Sequence, residues 1–454
     1  MMTLRNNEER INVKNISLDK LVPQNHIIRK IDNALDLSFI YDKVQHLYSR
    51  IGKPSIDPVV LFKIIIIQYI FGIRSMRQAI KEIEVNIAYR WYLGYGFEEK
   101  IPHFSTFGKN YKRRFQGTDI FNEIFFQIIK EIVKCKFLDT ENIFIDGTHI
   151  KASANLKKSK NIIIEESSKF YQDLLDEEIK KDREFHKKKF LNSKKEIKSK
   201  NIKQSLTDPE CGVFHKGEHK KVFAYSANTA CDKNNFILGF VVNPGNIHDS
   251  SAFPKLYYYL KEKYSNIKRI VVDAGYKIPA IAKLLIDDNI TPVMPYKRPM
   301  TKKGFFKKND YVYDEYYDCY ICPNDKILTY TTTNREGYKE YKSNWKDCIN
   351  CEFKSCCTES KNHTKLVIRH VWEEYIEKVE DIRHLDGIRE IYSKRSETIE
   401  RVFADAKELH GLRYTQYRGL AKLKMELTLK FACMNLKKLA IWKTRNNFTI
   451  QVSS

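Results

Sequence analysis

Apolar and polar positions follow distinct rhythms along this chain. From Pro58 a nearly unbroken apolar run, Val59-Val60-Leu61-Phe62 and on to Tyr69, is interrupted by Gly72. A run of that length is a helix, and Ser75 is placed to cap a second one, in which Ala79, Ile80 and Ile83 return at helical spacing. Phe121 to Val133 keeps the same period. The rhythm then changes. Ile143-Phe144-Ile145 runs straight into Asp146-Gly147, and Ile270-Val271-Val272 into Asp273-Ala274-Gly275. Short apolar runs, rich in β-branching and stopped by turn residues, read as fully buried strands, here each ending in an acid. Between them, 221–227 and 236–242 are β-rich runs joined at Asp232-Lys233-Asn234-Asn235, which predicts a hairpin. Helical patterns over about 251–264 and 278–286 and a short strand at 291–295 follow. Strand, hairpin, helix, strand, helix, strand is the order of a mixed α/β sheet.

Outside this sheet the pattern weakens. Residues 156–206 are dominated by Lys, Glu, Asp and Ser, with apolar pairs only at Phe170-Tyr171 and Leu174-Leu175. They read as long solvated helices or linker. Residues 301–375 are rich in Tyr, Lys and Cys. Beyond them Ile399, Phe403 and Ala406 share one helical face, with Gly411 as a stop signal. A last helix over about 420–443 has an apolar stripe (Leu420, Leu423, Leu427, Phe431, Met434) and a basic face (Lys422, Lys424, Lys430, Lys437, Lys438). The chain thus divides into a helical region over 1–120 and the first part of an α/β core over 121–300, with the charged stretch inside it. A Cys-rich insertion over 301–375 and C-terminal helices over 376–445 that complete the core follow.

Charge narrows the function. Lys and Arg number 80 against 57 Asp and Glu, a net charge of +23. That excess favours a polyanionic partner, nucleic acid before anionic membrane, and the basic run Lys109, Lys112, Arg113 and Arg114 after a helical pair suits DNA contact. The most apolar stretch, Ile64 to Ile73, is flanked by Lys63 and Arg74 and falls short of the ~20 apolar residues of a membrane span. The opening MMTLRNNEERINVK is polar and predicts no leader, which places the chain in the cytoplasm. Cytoplasmic cysteines are metal ligands or free thiols more often than disulfides.

Two groups carry candidate chemistry. Asp146 and Asp273, each at the end of a buried strand, can stand side by side, and carboxylates so placed invite a shared divalent cation. The pairs Cys319-x-x-Cys322 and Cys348-x-x-Cys351, followed by Cys356-Cys357, predict a four-thiolate structural zinc site for which six cysteines compete.

With these motifs in order, the sequence resembles bacterial insertion-sequence transposases of the DDE type. The resemblance is carried by Phe71-Gly72-Ile73-Arg74-Ser75 in the helical region and by Asp146-Gly147-Thr148-His149-Ile150-Lys151-Ala152. Asn246-Ile247-His248-Asp249, Asp273-Ala274-Gly275-Tyr276, and Tyr392-x-x-Arg395 with Glu400-x-x-Phe403 and Lys407 carry it further, and Arg418-Gly419-Leu420 and Asn435-Leu436-Lys437-Lys438-Leu439 close it. It implies a ribonuclease-H-like core with a zinc-ribbon-like insertion. It also implies a catalytic triad of Asp146, Asp273 and Glu400 holding two Mg²⁺, and DNA contacts from Tyr392, Arg395 and Lys407. For zinc it favours Cys322, Cys348, Cys351 and Cys357 (with Cys356 or Cys319 as substitute), whereas the paired spacing favours Cys319 with Cys322. The implied partners are the element's DNA ends, target DNA and at least one more copy of the chain. Two other readings fit: a stand-alone nuclease that cuts without joining, and a zinc-dependent DNA-binding regulator without catalysis.

Overall fold

The computed structural model describes residues 15–446 except 50, 53, 166–168, 192–198, 217–219 and 299. The polar opening residues 1–14 therefore lie outside the described residues. The chain forms two compact units, one of residues 1–139 with 401–454 and one of 140–400.

The first unit is helical. Asp57 accepts hydrogen bonds from the Val59 and Val60 N–H groups and Pro58 takes the first helical position, which together start the Pro58–Ile70 helix. That helix is apolar on nearly every side and buried along most of its length, from Leu61 to Ile70 apart from Lys63. The Ile120–Lys134 helix and the 26-residue Leu420–Arg445 helix pack in the same unit. The expected segment 376–445 is thus divided: 376–400 falls in the second unit, whereas the long terminal helix packs against Pro58–Ile70 and Ile120–Lys134. Its expected basic face is interrupted as well. Lys430 is buried, paired with Glu426 at 2.8 Å and donating to the Gly411 carbonyl. Lys443 is buried between the Ala34 carbonyl and Glu131. A long charged side chain inside a helical bundle is tolerated when each proton finds an acceptor. Gly72 is needed here twice over: its φ is +64°, and a Cβ would collide with the Leu409 carbonyl.

The second unit holds three sheets, built from strands β1 (Asn142–Lys151), β2 (Ser159–Glu165), β3 (Ser199–Ser205), β4 (Gly212–Lys216), β5 (Lys220–Cys231), β6 (Ile237–Pro244), β7 (Arg269–Val271), β8 (Thr291–Val293), β9 (Val312–Asp314), β10 (Cys319–Ile321), β11 (Ile327–Thr333), β12 (Tyr338–Ser343) and β13 (Leu366–His370). The central sheet is mixed, as expected. β4 and β6 both pair antiparallel with β5, β5 antiparallel with β1, then β7 and β8 continue in parallel. Ile143, Phe144, Ile145, Ile270 and Val271 are fully buried, as continuous apolar runs in a covered sheet should be. The Asp249–Lys263 helix lies on β5 and β6.

The stretch 156–206 departs from expectation. β2 and β3 form a separate antiparallel ribbon, and the Gln172–Phe185 helix docks on β11. Leu175 and Ile179 pack against Ala280 and Trp372, and charged residues add to the docking. Buried Arg183 donates to Thr332 Oγ1 at 2.9 Å and to the Thr333 carbonyl, Asp182 pairs with Lys339 at 2.7 Å, and His186 meets Asp318 at 2.6 Å. Composition marked these residues as solvated because it cannot show that their partners wait 150 residues downstream.

The Cys-rich region is a five-stranded antiparallel meander, β9 to β13 in sequence order. Its core is small and aromatic: Tyr311, Tyr320, Leu328, Tyr341 and Val367.

Candidate active site

Asp146 does not end its strand. β1 runs on to Lys151 because β5 follows it the whole way, Asp146 lying opposite Thr229 and Gly147 opposite Asn228. On the other side, β7 pairs only with Asn142 to Phe144. Asp146 therefore stands where the parallel half of the sheet stops, at the carboxyl end of β7, and Asp273 stands just past that end. This is the place where open α/β sheets bind ligands. Asp273 is held by its own turn, its Oδ1 accepting from the Gly275 N–H at 2.8 Å.

Asp146 is constrained on both oxygens. Oδ1 accepts from the Gly147 N–H at 2.7 Å and Oδ2 from Arg395 Nη2 at 2.7 Å. Its pKa is pushed up to about 6, first by burial; Arg395 and the Gly147 N–H oppose this, and the charges of Asp273 and Asp249 add to it. The two predicted aspartates are thus electrostatic neighbours. Arg395, which the resemblance assigns to DNA, is buried against Asp146, and its Nε and Nη1 have no partner among the described residues. Its guanidinium lies 5.8 Å from the Tyr392 ring centroid. Burial raises the Tyr392 hydroxyl's affinity for its proton; Arg395 opposes this, while Asp273 and Glu400 strengthen it. Glu400 is exposed in the first turn of the Ile399–Glu408 helix, and Lys407 sits in the last, its Nζ 5.9 Å from the Phe403 ring. Tyr392 and Arg395 precede that helix rather than belonging to it.

Three further residues join this neighbourhood. Asn228, wholly buried, donates through Nδ2 to Asp249 Oδ1 at 2.7 Å and to the Tyr276 hydroxyl oxygen at 2.9 Å. Tyr276 keeps its proton well above the usual range, by burial and the charges of Asp249, Asp146 and Asp273. Gly147 has no Cβ where one would strike the Asp249 carboxylate. Nothing in the spacing of Asn228 marks it, although Asp249 and Tyr276 lie inside quoted motifs.

The cysteines separate into two sets. Cys322, Cys348 and Cys357 are close enough that the first two raise the proton affinity of the Cys357 thiol, whose main cause is burial. Cys351 accepts from Asn324 Nδ2 at 3.6 Å, two residues beyond Cys322. The Lys326 N–H points at Cys322 Sγ at 3.4 Å, and the Tyr311 hydroxyl meets Cys357 Sγ at 3.1 Å. Cys319 is buried in β10, where the charges acting on it are those of Asp314 and Asp318, and Cys356 is exposed. Among the described residues no three His, Cys, Asp or Glu are gathered tightly enough to hold a metal, at either place.

Comparison with known families now decides the class. Residues 16–113 match the transposase domain (DUF772), and residues 321–440 match the transposase DDE domain. Together the two matches support a DDE-type transposase, and the DDE domain implies an enzyme that cuts or transfers DNA. The DDE match spans Glu400 and the cysteines from Cys322 to Cys357 but not Cys319, Asp146 or Asp273, so those two aspartates rest on the sheet geometry. Among solved structures it is similar to the piggyBac transposase synaptic complex with hairpin DNA, at 9% identity and a TM-score of 0.33, covering 95% of this chain and 78% of that one. No curated protein matches. Among the described residues no helix is long and apolar enough to cross a membrane.

Proposed function

We propose that this transposase cleaves the ends of its mobile element and joins them to target DNA at Asp146, Asp273 and Glu400, on a ribonuclease-H-like sheet. The observation that carries the reading is the pairing of Asp146 with Asp273 at the carboxyl end of β7, with Asp146 pushed up to about 6. A buried carboxylate that has lost water and gained a like-charged neighbour is a fitting site for a hard cation. The sheet supports the fold assignment: three antiparallel positions, β6 or β4, β5 and β1, followed by parallel β7 and β8.

The donors fit Mg²⁺, being carboxylates only. When bound, such ions would supply activation of a water or DNA 3′-hydroxyl and charge for the leaving 3′-oxygen. The chain's own residues would do the rest. Asp146, Asp273 and Glu400 would hold the cations. Arg395 neutralises Asp146 and keeps two N–H groups for a phosphate, while Tyr392 and Lys407 orient the strand. In the insertion, Cys322, Cys348, Cys351 and Cys357 are our choice for a structural Zn²⁺, because they share one end of the meander and Cys319 does not join them. We place the protein in the cytoplasm, acting as a dimer or larger assembly on paired DNA ends.

The test is to incubate purified protein with its own element ends in Mg²⁺, map the nicks, and then supply pre-cut ends with target DNA. Nicks at the element boundary followed by joining are expected. Cutting without joining would make it a nuclease, and Mg²⁺-independent binding without nicking a regulator.

A further inference from the structure

We propose that Asp249, acting through Asn228 and Tyr276, is a positioning residue that fixes the separation of Asp146 and Asp273. This rests on the reading of those two aspartates as metal holders. Asp249 opens the Asp249–Lys263 helix, and its carboxylate packs on the bare Cα of Gly147, the residue bonded to Asp146. The same carboxylate accepts at 2.7 Å from Asn228, which lies opposite Gly147 in the β1–β5 pairing. The other Nδ2 proton of Asn228 reaches Tyr276, in the turn that begins at Asp273 and whose Gly275 N–H is bound by the Asp273 carboxylate. One buried amide therefore ties the peptide following Asp146 to the turn that orients Asp273.

Two features show that this brace serves a ligand rather than the fold alone. Arg395, 5% exposed, points one nitrogen at Asp146 and leaves two buried nitrogens without acceptors. Asn228, fully buried, leaves its Oδ1 without a donor. Buried polar groups are seldom left incomplete without functional cause. The demand on the brace is geometric, since cation-holding carboxylates on different elements tolerate little drift and outer partners commonly set metal affinity about 10- to 100-fold.

The test uses Mn²⁺ as the probe, titrated into the full-length protein without DNA and followed by its paramagnetic resonance. Asp249→Ala and Asn228→Ala should each weaken Mn²⁺ binding about 10-fold. Asp249→Asn should recover most of that loss, because its side-chain oxygen still accepts from Asn228. Wild-type affinity in Asp249→Ala would overturn the proposal. So would an Asp249→Asn variant as weak as Asp249→Ala, since Asp249 would then act by charge or as a ligand. Asp146→Asn is the separate control: if it binds Mn²⁺ as wild type does, the aspartates are not metal holders and the underlying reading fails. Gly147→Ala adds a readout of packing. It should disturb the fold, and Gly147→Ala with Asp249→Ala should refold, because the second change clears the space taken by the new Cβ.

Discussion

The central sheet and the Cys-rich meander use buried polarity in opposite ways. Around Asp146 the fold is carried by apolar strands, and the polar groups are left short: Arg395 lacks two acceptors, and Asn228, Thr229 and Ser226 each keep a buried atom without a partner. In the meander the core is made largely of tyrosines whose hydroxyls are taken up. Asp318 accepts from Tyr313 and Tyr341 at 2.6 Å each and meets His186 at 2.6 Å. Arg369 pairs with Glu377 and stacks on Tyr313 at 4.0 Å. The lesson is that incomplete bonding can be kept only where apolar burial already secures the structure. The small tyrosine core of the meander bonds the polar groups at its centre, while His363 Nδ1 and the Trp372 indole N–H at its margin lack partners among the described residues.

The largest effect that follows is on chemistry. Asp146→Asn, Asp273→Asn and Glu400→Gln should each lower cleavage by on the order of a thousandfold or more while leaving the melting temperature in Mg²⁺ and DNA affinity nearly unchanged. Any one of them cutting at a tenth of the wild-type rate would remove that residue from the triad. A large fall in melting temperature would break the comparison, because the site would then be part of what holds the sheet.

Much of the central sheet was legible in the sequence. The runs Ile143-Phe144-Ile145 and Ile270-Val271 are fully buried in strands, with Val272 buried just beyond, and the Asp232–Asn235 turn joins β5 and β6 with Asn235 at a φ of +62°. What periodicity could not show was the length of β1 past Asp146, since that depends on how far β5 accompanies it rather than on β1's own residues. The same limit applies to Arg183 and Lys430, which look solvated by composition and are buried because acceptors come from distant segments. Asp249 was visible only as part of a motif. Its role depends on an empty Cα at Gly147, which no spacing rule encodes.

Removing zinc should affect the meander alone. Prolonged chelation, or Cys357→Ser, is expected to raise hydrogen exchange over 312–357 while leaving β1 protected, because a closed four-thiolate site stabilises only the region it ties together. Cys319→Ser should keep the metal. Absence of zinc from carefully purified protein, or its loss in Cys319→Ser, would refute the ligand choice.

Asp318→Ala probes the same contrast without metal. It strands two buried tyrosine hydroxyls and His186, and at about 1–3 kcal/mol per orphaned group the meander should lose roughly 4 kcal/mol. Exchange of the β11 and β12 amides reads this directly. A loss below about 1 kcal/mol would mean that water replaces the carboxylate easily and that the meander depends little on complete bonding.

The smallest effect has the opposite sign and belongs to the active site. Asp146 is pushed from 3.8 up to about 6. A carboxyl with a raised folded-state pKa binds its proton more tightly when folded, so its contribution is fully present below about 4 and is lost as pH rises through about 6. The full shift corresponds to about 3 kcal/mol, and partial exposure of the side chain reduces this to on the order of 2. At pH 8, in buffer free of divalent cations but without chelator, Asp146→Asn should therefore slow exchange of the β1 amides, after correction for intrinsic rates. At pH 4 the two proteins should match. Asn keeps an oxygen for Arg395 Nη2, so the ion pair is weakened but its hydrogen bond need not be lost. Mg²⁺ should abolish the difference at pH 8, since a bound cation removes the cost of the charge in wild type alone. If Asp146→Asn opens β1 more readily at pH 8, the Arg395 pair outweighs the burial penalty and Asp146 holds the sheet as well as the metal.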